Sequence, residues 1–356
     1  MSQNHTVISA DPQTQKSSIL SIWHKNTSKS DADEVNIKFD WCNNDNNPGG
    51  WRQYWFLKDT KNDDYIGTIS MSIRKYKVWD QSFYFYRGAD FMVNKEHRKV
   101  TPAKFLISSV HEELKNQNKS IIGCPNRAAT AIMMRSGVKS IGAMSNYVKV
   151  IKSAKYLSRI ISSKLVVKLV SFPIDLMIMI TGKEIFNNVP LGQKIAHLTD
   201  FDARFDDLWK GCKIDLPIIG DRSSKYLKWR YNNNPFREYL IFSFIGDNES
   251  NLHGYIIYYI ENDQAYISDI FACELSIMQS LLIEFSKYTR SLNLSAVRIG
   301  FFGKKDIHGI FKNLKFYKRP NERNFVFSPG INTDSIGLMQ DPENWYFMMG
   351  DEEEED

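Results

Sequence analysis

The sequence predicts an α/β (α+β) chain made of two similar halves, each a central sheet flanked by helices. Three observations predict it. A length of 356 residues exceeds what one hydrophobic core ordinarily supports, and 42% hydrophobic residues supply enough for two. Strand-like and helix-like stretches follow one another in a similar order in both halves. Finally, the segment from Trp41 to Asn47-Pro48 is echoed by the segment from Trp229 to Asn234-Pro235. Asn-Pro after an apolar anchor is ordinary turn chemistry, but two copies in one context point to a duplicated fold.

The elements follow in order. After the first echo the stretch WRQYWFLKD reads as a strand, followed by strands over Tyr65–Arg74, Gln81–Arg87 and Gly88–Val93. A helix is predicted over Pro102–Gln117, a strand over Ser120–Cys124 and a short helix over Ala128–Arg135. After the second echo YLIFSFIG reads as a strand, then Gly254–Glu261 and Gln264–Ala272. A helix from Ser276 to Leu292 repeats its apolar residues at Ile277, Leu281, Leu282 and Phe285, with Ser276 as its N-cap. Strand Ala296–Phe302, helix Asp306–Leu314 and strand Asn324–Ser328 complete the half.

The ends are polar. Residues 1–18 read as disordered, without a basic start followed by an apolar run, so no secretory signal is expected. Residues 351–356 read as a solvated acidic tail. The four cysteines, Cys42, Cys124, Cys212 and Cys273, lie far apart without a C-x-x-C pair. That pattern argues for reduced thiols in a cytoplasmic protein, with neither metal nor disulfide frame. A net charge of +5 carries no dominant basic stripe with interleaved aromatics, so nucleic acid is not an expected partner.

Between the halves, residues 151–190 form a helical linker with five basic residues before Asp175. Charges and Pro173 interrupt every window long enough to span a bilayer. Two readings stay open here: a linker packed on both domains, or weak contact of residues 151–170 with an anionic membrane surface.

Two stretches carry the chemistry. HRKVTPAKFL (97–106) opens a helix directly after a strand, and a helix N-terminus presents unpaired N–H groups and a positive dipole end. A diphosphate is the natural occupant of such a turn. CPNRAATAIMMRSGV (124–138) begins where a strand ends and runs into a short helix closed by Gly137.

On these motifs residues 50–150 resemble the GNAT (Gcn5-related N-acetyltransferase) superfamily. The family's cofactor loop reads Arg/Gln-x-x-Gly-x-Gly/Ala; this chain keeps Arg98 and Ala103 and has Thr101 in place of the first glycine. The family's later pattern, Asn-x-x-Ala-x-x-Leu-Tyr-x-x-x-Gly-Phe, is met at Asn126, Ala129, Ile132, Met133, Gly137 and Val138. Met133 stands where the family often has the tyrosine that protonates the departing thiolate. The resemblance implies two tandem GNAT-like domains, each a mixed, mostly antiparallel sheet flanked by helices. They are an N-terminal domain over 19–150 with the acyl-CoA site and a degenerate C-terminal one over 191–350 without the cofactor loop.

The resemblance also implies roles. Acetyl-CoA would lie along Met92, Val93, Arg98, Lys99, Val100, Thr101 and Ala103, with further contacts at Asn126 and Ala129. Asp90 and Glu96 are the nearby carboxylates that could serve as catalytic base, unless the amine loses its proton to bulk water. Trp41 and Trp229 read as hydrophobic anchors or as sugar-stacking platforms, with Arg230 and Asn234 as acceptor contacts. From about residue 35 to 350 the chain resembles bacterial tandem GNAT proteins associated with surface-polysaccharide synthesis. That implies an N-acetyltransferase with an amino-sugar acceptor and no metal. The alternatives are an aminoacyl transferase of the cross-bridge-forming type, with charged tRNA as donor, and a catalytically silent CoA-binding protein.

Overall fold

The computed structural model describes residues 4–27, 32–98, 100–330 and 336–352. The first half comprises β1 (His5–Ala10), α1 (Lys16–Asn26), α2 (Ala32–Cys42), β2 (Gln53–Asp59), β3 (Asp64–Val78) and β4 (Gln81–Val93), then α3 (Val100–Asn116), β5 (Ser120–Gly123), α4 (Arg127–Arg135) and β6 (Lys139–Val150). Two helices follow, α5 (Ala154–Leu157) and α6 (Lys164–Thr181). The second half opens with β7 (Gln193–Leu198), α7 (Ala203–Gly211), β8 (Ile218–Gly220) and α8 (Ser224–Leu227). It continues through β9 (Leu240–Gly246), β10 (Leu252–Glu261), β11 (Gln264–Ala272), α9 (Leu275–Ser291), β12 (Ala296–Gly303) and α10 (Lys305–Asn313). It closes with β13 (Tyr317–Lys318), β14 (Arg323–Ser328), α11 (Ile336–Met339) and β15 (Trp345–Met348).

The duplication is visible in helix lengths and in how the helices stop. α3 and α9 each span 17 residues, and α4 and α10 each span 9. Just past each end a residue takes a positive φ: Asn118, Gly137, Asn293 and Lys315 respectively. The following amide then reaches back five positions, Lys119 to Leu114, Val138 to Met133, Leu294 to Thr289 and Phe316 to Phe311. This Schellman closure satisfies carbonyls the helix leaves open. Both Asn-Pro echoes fold alike too: Asn47 Oδ1 accepts from Gly49 N at 3.0 Å and Asn234 Oδ1 from Phe236 N at 2.9 Å.

The strands form one continuous sheet because the halves exchange their last strands. β14, from the second half, lies between β5 and β6, with Val326 opposite Gly123 and Phe325 opposite Gly142. β6, from the first half, runs antiparallel to β12, with Tyr147 opposite Ile299. Leu106, Ile107, Val110 and Leu114 of α3 bury one stripe against Trp55, Leu57, Ile69 and Met71 of the sheet. Met278, Leu281, Leu282 and Phe285 of α9 do the same in the second half. Each such side chain contributes roughly 1.5–3 kcal/mol of burial.

Several expectations are corrected. Residues within the stretch read as a disordered N-terminus form β1 and begin α1; β1 pairs with β2 from His5 opposite Asp59 to Ala10 opposite Tyr54. The two strands expected over Gln81–Val93 are one strand carrying a bulge. Ser276 is inside α9, whose N-cap position is Glu274. Within the linker, α6 buries only Val167 and Ser171, and contact with both halves comes just beyond it, where Glu184 pairs with Lys149 of β6 and Arg290 of α9. Asp351 and Glu352 do not belong to a solvated tail: Asp351 is 1% exposed and Glu352 half-buried. Residues 353–356 lie outside the described residues.

Candidate active site

The site begins where two strands part. β4 and β5 pair in parallel at Phe85–Ser120 and Tyr86–Ile121 and at no later position. Beyond Tyr86, β4 keeps its partner β3 on one side and faces an open cleft on the other. Opposite β3, the register passes from Thr68–Met92 to Ser70–Ala89, so β4 carries one extra residue. Asp90 sits in that bulge with φ 51°. Short polar residues such as aspartate tolerate this left-handed conformation, and a bulge bends the strand and re-aims its neighbours.

Buried ion pairs hold the bulge in place. Asp90 is 6% exposed; Lys38 Nζ lies 2.9 Å from its Oδ1, Ser70 Oγ donates to Oδ2 at 2.7 Å, and Arg52 pairs with Oδ2 as well. Burial alone would raise its pKa, but Lys38, Arg52 and Ser70 outweigh that and hold the carboxyl at about 2. So weak a base, with both oxygens engaged, is unsuited to taking a proton from an amine at neutral pH. Asp90 is therefore a positioning residue of the bulge, against the role expected for it. Glu96, on the exposed turn Lys95–His97, does not line the cleft.

The cleft is a cavity of about 710 Å³. Gly88 to Val93 form one wall, Cys124, Pro125 and Asn126 the other, and Arg98, Val100, Ala103, Ala128, Ala129 and Ile132 line its mouth and floor together with Asn26, Arg323 and Glu352. Of the residues expected around a cofactor, Met92, Val93, Arg98, Val100, Ala103, Asn126 and Ala129 are thus gathered around one space. Thr101 is exposed on the first turn of α3 without lining it, and Lys99 lies outside the described residues.

Arg98 Nε donates to the Val93 carbonyl at 3.0 Å and its Nη2 to Asn26 Oδ1 at 2.8 Å, so one guanidinium ties the end of β4 to the end of α1. The opening turn of α3 carries the amides of Val100 and Thr101; neither donates to another backbone group outside the helix among the described residues. Pro102 has no N–H and fits this first turn without loss. Asn126 caps α4, its Oδ1 accepting from Ala129 N at 3.0 Å. Met133 is buried in the first-half core, leaving no phenol at that position.

The residue that sequence reasoning missed is Glu352. Its Oε1 accepts from the Cys124 backbone N–H at 2.6 Å, at the end of β5. The C-terminal segment is clamped there by arginines. Arg230 donates to the carbonyls of Gly350 at 3.3 Å and Glu352 at 2.9 Å. Asp351 pairs with Arg222 at 2.8 Å and with Arg74. Burial would raise the Asp351 pKa, and those two arginines hold it at about 2 instead. The Cys124 thiol is pushed well up by burial and by Glu352.

The residues expected to bind an acceptor have other occupations. Trp41 and Trp229 stack on each other, centroids 5.1 Å apart and planes at 12°, so neither offers that face to a sugar. Arg230 is 3% exposed and holds the C-terminal segment, and Asn234 builds its own turn. A second cavity of about 320 Å³ adjoins the cleft, sharing Asn126 and Arg323 with it. Its walls include Asn146 and Tyr147 of β6, Tyr259 and Tyr266, Arg298 and Glu322. Tyr259 and Tyr266 stack at 4.9 Å with planes 5° apart.

No family model matches the chain, and no curated protein matches its sequence. Solved structures do match. A conserved protein of unknown function from Enterococcus faecalis, described as a probable N-acyltransferase, superposes with a TM-score of 0.59 at 9% identity, over 91% of this chain and 72% of that one. A GCN5-related N-acetyltransferase from Anabaena variabilis gives 0.59 at 13% identity, over the same shares. Saccharomyces cerevisiae N-myristoyltransferase with bound myristoyl-CoA gives 0.54 at 10% identity, over 92% of this chain and 83% of that one. This chain has the GNAT fold. In GNAT terms the parted strands, the bulge on β4 and the α3 N-terminus make up the cleft of the first half. Among the described residues no three His, Cys, Asp or Glu side chains gather to hold a metal.

Proposed function

We propose that this GNAT-fold chain is an N-acyltransferase that uses an acyl-CoA thioester, acetyl-CoA in the first instance, and an amine acceptor. One observation carries the reading: β4 and β5 part beyond Tyr86 and Ile121, and the cleft they open runs to the N-terminus of α3. The amide of Val100 at the α3 N-terminus and the guanidinium of Arg98 suit a diphosphate at that end. The β4 edge without a strand partner beyond Tyr86 suits the amide-bearing arm that leads to the thioester.

Transfer requires the amine nitrogen to attack the thioester carbon, the C–S bond to break and the amine to lose a proton. Glu352 is the carboxylate placed to take that proton, since it lines the cleft beside Cys124 while Asp90 is locked in ion pairs. With no phenol at position 133 the thiolate leaves without an acid from α4. The adjoining cavity is assigned to the acceptor. The polar side chains of Asn146, Arg298 and Glu322 in its walls suit a hydroxyl-rich ring bearing an amine, which favours an amino sugar of the kind used in surface polysaccharides. The site is assigned to the cytoplasm, where acyl-CoA is available.

The test has two stages. Calorimetry with CoA and acetyl-CoA reads binding, and transfer of labelled acetyl to a panel of amino sugars and amino-sugar nucleotides reads turnover. Absence of CoA binding overturns the reading. Binding without turnover on a broad amine panel assigns a binding protein instead.

A further inference from the structure

The helix α6 lies outside the acyltransferase reading and is built the wrong way round for a globular surface. Its two buried residues, Val167 and Ser171, are one turn apart on a single stripe. The opposite stripe is apolar and bare: Leu165 is 76% exposed, Leu169 75%, Phe172 74% and Leu176 42%. The segments on either side also expose apolar side chains, Ile160 at 84% and Phe186 at 72%. An exposed apolar stripe along one helix face marks a docking site.

Charge identifies the occupant. Lys152 and Lys155 are engaged by Asn293 and Asp263. Arg159, Lys164, Lys168 and Lys183 border the patch, and no ion pair of theirs is found among the described residues. The two acids of the segment are withdrawn from the surface: Asp175 accepts from Ser153 N at 2.7 Å, and Glu184 is buried between Lys149 and Arg290. A second copy of the chain docking face to face would set these cations against one another. No described helix is long and apolar enough to cross a membrane. At 18 residues, α6 is about 27 Å long and suited to lying flat.

We infer that the outward face of α6 docks on an anionic phospholipid bilayer, sinking Leu165, Leu169 and Phe172 among the acyl chains while the flanking Lys and Arg side chains meet the headgroups. The inference is independent of the acyl-transfer chemistry. The test is co-sedimentation of the full chain with vesicles of phosphatidylcholine alone and of phosphatidylcholine mixed with phosphatidylglycerol. Binding is expected to the mixed vesicles, to weaken as salt is raised, and to fall about tenfold or more in the double variant Leu169→Asp/Phe172→Asp. An unchanged melting temperature checks that this variant folds, and Lys164→Glu/Lys168→Glu tests the charge separately. No binding to mixed vesicles, or equal binding to neutral ones, overturns the inference. Self-association in sedimentation velocity that the same apolar variant abolishes, without vesicle binding, overturns it in favour of a protein partner.

Discussion

The side chain of Glu352 accepts a hydrogen bond from the backbone amide of Cys124 at 2.6 Å, across 228 positions of chain. The contact closes the cleft of the first half with a residue from the far end of the second. It makes Glu352 a residue of the fold and the proposed base at once.

Glu352→Gln retains an oxygen for the Cys124 amide but removes the carboxylate proposed as the base. The expected outcome is a kcat lower by roughly 10²–10⁴-fold with CoA affinity unchanged. Glu96→Gln, off the cleft, leaves kcat and KM as they are. Steady-state kinetics with calorimetry distinguishes the two, and an unaltered kcat in Glu352→Gln removes Glu352 from the chemistry.

Arg98→Ala loses a charged group at the diphosphate end and the tie between Val93 and Asn26. The dissociation constant for CoA should rise about tenfold, equivalent to about 1.4 kcal/mol. The same titration with pantetheine, which lacks the diphosphate, should show a smaller change.

Cys124 borders the cleft, yet its thiol is pushed up by burial and by Glu352, so little thiolate exists at neutral pH. Transfer should be direct. Pre-steady-state kinetics should show no acyl-enzyme burst, and Cys124→Ser should keep most of kcat. A burst lost in that variant would contradict direct transfer.

Acid stability should fall in two separable phases. His111 is buried and its pKa is lowered to about 4 by desolvation, so the unfolded chain takes that proton first. Stability present above pH 6.5 is then lost as pH falls toward 4, by about 3 kcal/mol. Asp90 and Asp351, held at about 2 against an ordinary 3.8, contribute stability above about pH 4 that is lost as pH falls toward 2. Each loses roughly 2 kcal/mol in that window. Denaturant midpoints measured across pH should show both slopes, and His111→Leu should flatten only the upper one.

How much of this was legible follows from how local the cause is. Helices α3, α9 and α10 and strands β10 to β12 declare themselves by periodicity, because each buries one face over many residues. β1 does not: its residues are mostly half-buried, only Ala10 is fully so, and its stability comes from pairing with β2. That Met92, Val93, Arg98, Val100, Ala103, Asn126 and Ala129 line one cleft was legible from loop and helix spacing, since a strand leading into a helix N-terminus is a local device. Asp90 was found but misassigned, because Lys38 and Arg52 reach it only through the tertiary fold. Glu352 was hidden by an acidic neighbourhood that reads as solvated. The one nearby signal was the apolar run WYFM, which as β15 is wholly buried and carries the following acids inward.

The traded strands have a consequence for biogenesis. Until β14 emerges and inserts beside Gly123, the first half is a sheet with an unprotected border, open to pairing with any passing chain. The amino-terminal half therefore has no finished form of its own during synthesis. Severing the chain near residue 190 should yield two sticky fragments that regain solubility only when co-expressed.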